Sequence, residues 1–168
     1  MARPGPELTI RPLQATDLRD AAAIIALCND GDAAQQHQLL ERLLARQQAD
    51  GALLIAELGG KIAGVGRVSY FEPPRDAPEN AAPGGYYLLG VNVDPVHRRR
   101  GIGKALTEAR LRFIARHAPV AWFFTDAENE PSIRLHQALG FRRNTSDFWF
   151  PTAKFSASGG LLFSLALR

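Results

Sequence analysis

The stretch that most constrains this chain is Tyr86 to Gly103, YYLLGVNVDPVHRRRGIG, which runs directly into KALTEARLRFIARH. Tyr86 to Val93 is aromatic and β-branched enough for a buried strand, and Asp94-Pro95 ends it. Arg98, Arg99 and Arg100 follow, then Gly101 and Gly103, while Ile102, Leu106, Ala109 and Phe113 recur at helical spacing. The order of strand, basic glycine loop and helix contains a physical conflict. A helix N-terminus already presents unpaired N–H groups and the positive end of the macrodipole, so cations are unfavourable there. Arg98, Arg99, Arg100 and Lys104 crowd that end, and positions 98 to 103 hold no Ser, Thr, Asp or Asn to cap it. A bound polyanion resolves both problems, and glycine lets the backbone curl around a phosphate and offer its N–H groups.

The common nucleotide loops do not fit. A Walker loop needs Ser or Thr after its lysine, and Ala105 follows Lys104; the dinucleotide fingerprint needs Gly or Ala where Leu106 stands. What remains is Arg98-x-x-Gly101-x-Gly103 after a strand ending in Val-Asp-Pro, and this resembles the GNAT superfamily of acetyl-CoA-dependent N-acetyltransferases. A second motif stands downstream. In Val120 to Phe141, VAWFFTDAENEPSIRLHQALGF, a short strand leads through an acidic turn to a helix over about Pro131 to Leu139, closed by Gly140 before Phe141 resumes a strand. The family pattern there is similar to Asn-x-x-Ala-x-x-x-Tyr-x-x-x-Gly-Phe, here represented by Asn129, Ser132, His136 and Gly140-Phe141. The wording is similar to the phosphinothricin-type acetyltransferase branch, although the segment after Phe141 does not continue that likeness. The two motifs together span about a third of the chain.

The resemblance implies acetyl transfer from acetyl-CoA to an amine by direct attack, with no metal and no covalent enzyme intermediate. In its terms Val91, Asn92 and Val93 pair with the pantetheine arm through their backbone. Arg98, Arg99, Arg100, Gly101, Ile102, Gly103 and Lys104 take the pyrophosphate, and Asn129 and Ser132 also belong to the cofactor side. The family places a tyrosine where this chain has His136. A histidine there can protonate the departing thiolate near neutral pH, or it can be a satisfied structural residue. Tyr86 and Tyr87 are substitutes for the acid, and Glu72, Asp126 and Glu128 are the nearby acids for a base. A non-catalytic acyl-CoA-binding or regulatory module on the same fold is the second reading of the chain. The acceptor amine is open, with a small molecule favoured over a protein, and the chain is expected as a monomer or homodimer.

A length of 168 residues with 46% hydrophobic and 22% charged residues fits one globular domain. The expected organisation is therefore a single domain over residues 1–168, with Met1 to Pro6 a flexible tail. Of the net charge of +3, four positive charges sit on the arginine-glycine loop, and without them the balance is −1. No broad patch for nucleic acid or membrane is needed to explain a pI near 9.4. The single Cys28 excludes an intrachain disulfide and reads as a small buried thiol. The opening MARPGPELTI has no signal-peptide apolar run and nothing approaches the ~20 apolar residues of a membrane span, so a cytoplasmic location is expected.

Along the chain, Leu8 to Arg11 alternates as a first strand, and Thr16 or Asp17 can cap a helix that follows. A second helix over about Ala33 to Gln48 carries Leu39, Leu40, Leu43 and Leu44, with Asp32 as its cap and His37 turned to solvent. In the family these two helices shape the acceptor side. Gly51 to Leu58, Gly59-Gly60 and Lys61 to Phe71 form a hairpin in which Gly64 and Gly66 mark a strand kink or a close backbone approach. Glu72 to Gly85 reads as a mobile loop, and two apolar stretches, Asp147 to Pro151 and Leu161 to Leu167, end the chain. The order βααβββαβαββ matches a mixed α+β, three-layer fold with a central, mostly antiparallel sheet flanked by helices, the acyl-CoA N-acyltransferase fold.

If the arginines serve one pyrophosphate, duplex DNA should bind at physiological salt no better than ~10⁻⁴ M, the nonspecific level. A fluorescence titration showing submicromolar DNA affinity that survives added salt would reverse this reading of the charge.

Overall fold

The computed structural model describes residues 5–46 and 50–168. Most of the expected tail over Met1 to Pro6, and the end of the second helix at Gln47 and Gln48, therefore lie outside the described residues. The elements follow the expected order: β1 (Leu8–Pro12), α1 (Leu18–Cys28), α2 (Ala33–Ala45), β2 (Gly51–Leu58), β3 (Lys61–Phe71), β4 (Gly85–Val93), α3 (Ile102–Ala115), β5 (Val120–Asp126), α4 (Glu130–Ala138), β6 (Arg142–Thr145) and β7 (Gly160–Ala166). The seven strands form one mostly antiparallel sheet in the order β1-β2-β3-β4-β5-β7-β6, and the β4–β5 pair is parallel. The chain groups into two compact units, Met1–Val68 with Gly90–Phe113 and Ser69–Leu89 with Ile114–Arg168. Strands β3 and β4 and helix α3 contribute residues to both.

In the first unit the hairpin β2–β3 is closed by Gly59 and Gly60 at φ +58° and +81°. Two consecutive positive φ angles are what a two-residue hairpin turn of matching twist needs, and only glycine adopts them without a Cβ penalty. Leu53 and Ile55 of β2 and Val65 of β3 pack with Leu18, Ala21 and Ala22 of α1 and Leu40 of α2. Ala56 and Ala63 pack with Ile102 and Leu106 of α3. The sheet thus has two apolar faces, one per helical layer.

Two caps differ in how they work. Asp32 caps α2 as expected, accepting from the N–H groups of Ala34 and Gln35 at 2.7 and 3.1 Å. Asp17 does not cap α1; a 3-10 turn over Ala15–Asp17 precedes the helix, and the carboxylate accepts the Gln14 N–H at 2.8 Å. It also takes both terminal nitrogens of Arg11 at 2.7 and 3.0 Å, while Arg11 reaches Glu57 Oε2 at 3.0 Å. The sequence offers no local sign of this pairing, because Glu57 is 46 residues from Arg11. His37 is half-buried rather than turned to solvent.

The buried stripe of α3 is Ile102, Leu106, Thr107, Arg110 and Ile114, whereas Ala109 and Phe113 are half-buried. The helix is therefore rotated from its expected orientation so that a threonine and an arginine face inward. The glycines of β3 explain the approach of α3: a Cβ on Gly64 would lie 3.0 Å from Leu106 and 3.1 Å from Ile102, and one on Gly66 would lie 3.1 Å from Arg110 Cδ.

In the second unit β5 pairs in parallel with β4 at Tyr86↔Ala121 and Tyr87↔Trp122, and antiparallel with β7 from Val120↔Ala166 to Asp126↔Gly160. One face of β5 carries Phe123 against Phe163 and Phe141; the other packs Trp122 and Phe124 with Tyr87, Phe150 and Leu162. The segment Glu72 to Gly85, expected to be a mobile loop, is tied down along its second half. Ala82 N–H donates to Trp149 O and Trp149 N–H to Asn80 O, both at 2.8 Å, and Tyr87 Oη donates to Pro83 O at 2.6 Å. Asp147 to Pro151 is accordingly a strap held by a bridge between Ala81 and Trp149.

The Arg11 guanidinium holds the Asp17 carboxyl below the usual carboxylate range, the largest cause being their hydrogen bonds. A group whose folded pKa is depressed contributes stability above its unfolded value of about 3.9, and that contribution is lost as pH falls toward the folded value. Asp17→Asn should therefore cost about 1–2 kcal/mol at neutral pH, as expected for a charged hydrogen bond. Urea unfolding at several pH values should show the difference from wild type closing below pH ~4.

Candidate functional site

The first unit carries the arginine-glycine loop. Strand β4 ends at Val93, and Asp94 caps the following 3-10 turn by accepting from Val96 N–H at 3.1 Å. The backbone then takes positive φ at Arg99 (+64°) and Gly101 (+76°), separated by one residue. Alternation of this kind curls successive N–H groups toward a common centre, which is the geometry of an anion nest. Ala105 N–H donates to Gly101 O at 3.0 Å, making this the first bond of α3. The N–H groups of Ile102, Gly103 and Lys104 stand ahead of it and lie outside the helical ladder. Arg99, Arg100 and Gly101 are exposed.

The four cations are not equivalent. Arg98 turns back, donating from Nε to Val93 O at 3.3 Å and placing Nη2 3.8 Å from Cys28 Sγ. Cys28, half-buried rather than enclosed, donates its own thiol to Val93 O at 3.3 Å. Lys104 lies 3.9 Å from Glu108 across one helical turn. Arg99 and Arg100 have no ion pair among the described residues and are the two charges presented outward.

Val91, Asn92 and Val93 are half-buried. Val91 and Val93 pack against the cluster of Ile102 and Leu106, and Asn92 Oδ1 accepts from Asn29 Nδ2 at 3.1 Å. Just before them Gly90 has φ +66°, a left-handed residue in the middle of a strand that bends β4.

The second unit carries the other motif. Asn129 is the N-cap of α4, its Oδ1 accepting from Ser132 N–H at 3.3 Å. Its carbonyl oxygen is thereby committed to the helix, and its amide hydrogens are the groups it can offer to a ligand. Ser132 is half-buried. His136 is 1% exposed, stacked on Phe123 with centroids 3.5 Å apart and edge-on to Phe141 at 5.3 Å. Its Nδ1 lies 2.8 Å from Ser132 O. A carbonyl oxygen only accepts, so Nδ1 carries the hydrogen. The structure thus brings Asn129, Ser132 and His136 together on one helix through two local bonds.

The remaining acid and base candidates are placed as follows. Tyr87 is fully buried and burial pushes its phenol up, while its hydroxyl is spent on Pro83 O. Asp126 accepts from Ser156 N–H at 2.6 Å, Ser156 Oγ at 2.9 Å and Glu128 N–H at 2.9 Å. Those bonds, the Ser156 backbone first and Glu128 second, hold its carboxyl below the usual range. Asp126 is therefore a structural clamp and a weak base. Glu128 accepts from Ser158 Oγ at 2.7 Å. Glu72 accepts from Tyr70 Oη at 3.0 Å, and this bond raises the Tyr70 phenol. Tyr70 is 44% exposed and edge-on to Tyr86 at 5.1 Å. Nothing in the sequence marks Tyr70 and Glu72 as a pair.

Sequence reasoning also missed Arg110 and Arg67. Arg110 is 1% exposed and burial pushes its guanidinium down to about 9. Arg67 Nε is enclosed without a hydrogen-bond partner, and burial lowers its guanidinium too. The one available signal was the four-residue spacing Ile102, Leu106, Arg110, Ile114, which puts an arginine on an apolar stripe.

Among the described residues no group of three or more His, Cys, Asp or Glu is placed to hold a metal ion, and no helix is long and apolar enough to cross a membrane. A mycothiol acetyltransferase from Acidothermus cellulolyticus is 36% identical over 107 residues, which cover 60% of this chain and 32% of that protein. The match thus spans about a third of the length of that curated relative. An aminoglycoside N-acetyltransferase solved in complex with CoA has a TM-score of 0.73 at 24% identity, covering 92% of this chain and 100% of that one. A Salmonella typhimurium protein solved with its cofactor acetyl-CoA has a TM-score of 0.71 at 19% identity, covering 96% of this chain and 94% of that one. These two likenesses establish the fold. The family model described as acetyltransferase (GNAT) family matches residues 17–141, from the 3-10 turn before α1 through both motifs to the residue before β6, and this chain belongs to that family of acyltransferases.

Proposed function

We propose that the chain is an N-acetyltransferase that uses acetyl-CoA as co-substrate and transfers the acetyl group directly to an amine. The observation that supports this most is the loop before α3: alternating positive φ at Arg99 and Gly101, N–H groups ahead of the helical ladder, and two outward cations. A pyrophosphate satisfies all three. In this reading the backbone N–H groups of Arg99, Arg100, Gly101, Ile102, Gly103 and Lys104 take the pyrophosphate, while the Arg98 N–H is bonded to Pro95 O and its side chain braces the loop. Val91, Asn92 and Val93 offer main-chain groups to the pantetheine arm, and Asn129, with Ser132 beside it, serves the same arm. The acceptor is a small amine, and the relatives' name, mycothiol acetyltransferase, points away from a protein acceptor.

His136 is the proposed proton donor to the thiolate. With Nδ1 bound to Ser132 O, the proton would leave from Nε2, and the donor is then the imidazolium. Its 1% exposure favours a second reading, in which His136 is a positioning residue that locks α4 onto Phe123 and solvent supplies the proton.

Acetyl-CoA at ~100 Kd should stabilise the fold by about 2.7 kcal/mol, roughly 5–10 °C in Tm for a chain of this size. Gly103→Glu should abolish the shift by placing a carboxylate where the phosphates sit. The fold itself should survive, because an acid in the first helical turn is favourable. Thermal melts with and without acetyl-CoA, followed by thiol release over a panel of amines, decide the matter. A flat melt, or binding with no amine-dependent thiol release, would remove the reading.

For His136, the slot between Phe123 and Phe141 suits a phenyl ring, so His136→Phe should fold. Proton donation predicts a loss of about 10²–10⁴ in kcat with acetyl-CoA affinity nearly unchanged, and recovery in His136→Tyr. A folded His136→Phe variant with near-wild-type kcat would leave only the positioning role.

A further inference from the structure

Arg110 stands where an apolar side chain would be expected. It is 1% exposed, midway along the buried stripe of α3, and among the described residues no carboxylate bonds to it. Removing a charge from water without a counter-ion costs several kcal/mol, and an apolar residue of similar volume is often no less stable. What the guanidinium does that a methionine cannot is donate. Nη1 lies 3.3 Å from Arg67 O on β3 and 3.4 Å from Gly90 O on β4. Nη2 donates to Thr107 Oγ1 at 2.9 Å, and Thr107 Oγ1 in turn donates to Gly103 O at 2.8 Å. One side chain therefore links the bend in β4 to the second glycine of the arginine-glycine loop.

The glycines around it fit the same purpose. Gly90 sits at φ +66° within β4, and its carbonyl accepts from Arg110 Nη1. Gly66 makes room: a Cβ there would lie 3.1 Å from Arg110 Cδ and 3.2 Å from Nε. We infer that Arg110 is a positioning residue for the cofactor, holding the bend at Gly90 through the Gly90 and Arg67 carbonyls and the loop through Thr107. It thereby fixes the course of Val91–Val93 relative to the Gly103 end of the loop. The inference rests on the reading that Val91–Val93 and the loop carry acetyl-CoA.

The test uses Arg110→Met, Arg110→Lys and Gly66→Ala in the full chain. Acetyl-CoA binding is measured by calorimetry, hydrogen exchange of the segment containing Val91–Val93 is followed without ligand, and Tm is recorded. Losing the Nη1 bonds to the carbonyls of Arg67 and Gly90 predicts a rise of about tenfold or more in the acetyl-CoA Kd of Arg110→Met. Exchange at Val91–Val93 should quicken, kcat at saturating acetyl-CoA should stay within about threefold, and Tm should hold or rise because an isolated charge has gone. Arg110→Lys keeps a donor and should recover part of the Kd. Gly66→Ala, which displaces the guanidinium by a few tenths of an ångström, should shift Kd in the same direction by a smaller factor, and it carries the test if Arg110→Met does not fold. An unchanged Kd and exchange rate in Arg110→Met, or in Gly66→Ala where it carries the test, overturns the inference while leaving the functional reading standing. So does a lowered Tm with unchanged Kd. Wild-type protein that does not bind acetyl-CoA overturns both.

Discussion

The contact on which the first unit depends is that of α3 with the glycine-bearing strand β3. Gly64 and Gly66 let Ile102, Leu106 and Arg110 approach to distances at which a Cβ would collide. That closeness seals Ala56 and Ala63 beneath the helix and fixes where its N-terminus emerges after β4. The loop at Arg99 to Lys104 is thus held from beneath by packing of side chains that close-packed interiors do not allow to shift cheaply. Backbone N–H groups have no side-chain rotamers to adjust, so the direction in which this loop presents them is set by where the helix is seated.

In the second unit the corresponding restraint is aromatic. His136 lies flat on Phe123, and Phe123 is braced by Phe141 and Phe163. The Asn129 cap and the bond of His136 to Ser132 O tie both ends of one short helix to its own backbone. A nine-residue helix has little intrinsic stability in water. Its shape is set by the cap and by this stack, and the Asn129 amide is oriented as a consequence.

Sequence patterns foretold the order of elements, the hairpin at Gly59-Gly60, the Asp32 cap and the close approach at Gly64 and Gly66, because each rests on local chemistry: period, φ preference or a capping side chain. The errors lie where distant residues decide. The rotation of α3 turns on a buried arginine whose partners are carbonyls 20 and 43 residues away. A helical wheel scores that position as polar and turns it outward. Asp17 was readable as a cap, but Arg11 and Glu57 claim its neighbourhood. Glu72 to Gly85 has the composition of a mobile loop, yet Trp149, some 65 residues on, supplies the ladder that holds it. The loop motif was visible as a conflict of charge with helix direction, but which cation turns inward was not, since Arg98 is selected by Cys28 and Val93 O.

Helix α3 places its charges unevenly, and the unevenness is informative. Arg112 in the last turn agrees with the macrodipole. Arg110 is costly where it lies, but the carbonyls of Arg67 and Gly90 and the Thr107 hydroxyl offset part of that cost within the chain. Arg99 and Arg100, beside N–H groups that precede the ladder, have no such offset among the described residues. A sequence that satisfies its local preferences nearly everywhere concentrates its exceptions at functional sites. Of these two exceptions, one is offset within the fold and the other stands exposed just ahead of the helix, and the bond from Thr107 to Gly103 O ties the helix to that loop. The internal cation is thereby tied to the loop that carries the exposed ones: through Thr107 it reaches the carbonyl of Gly103, and through its own Nη1 those of Arg67 and Gly90.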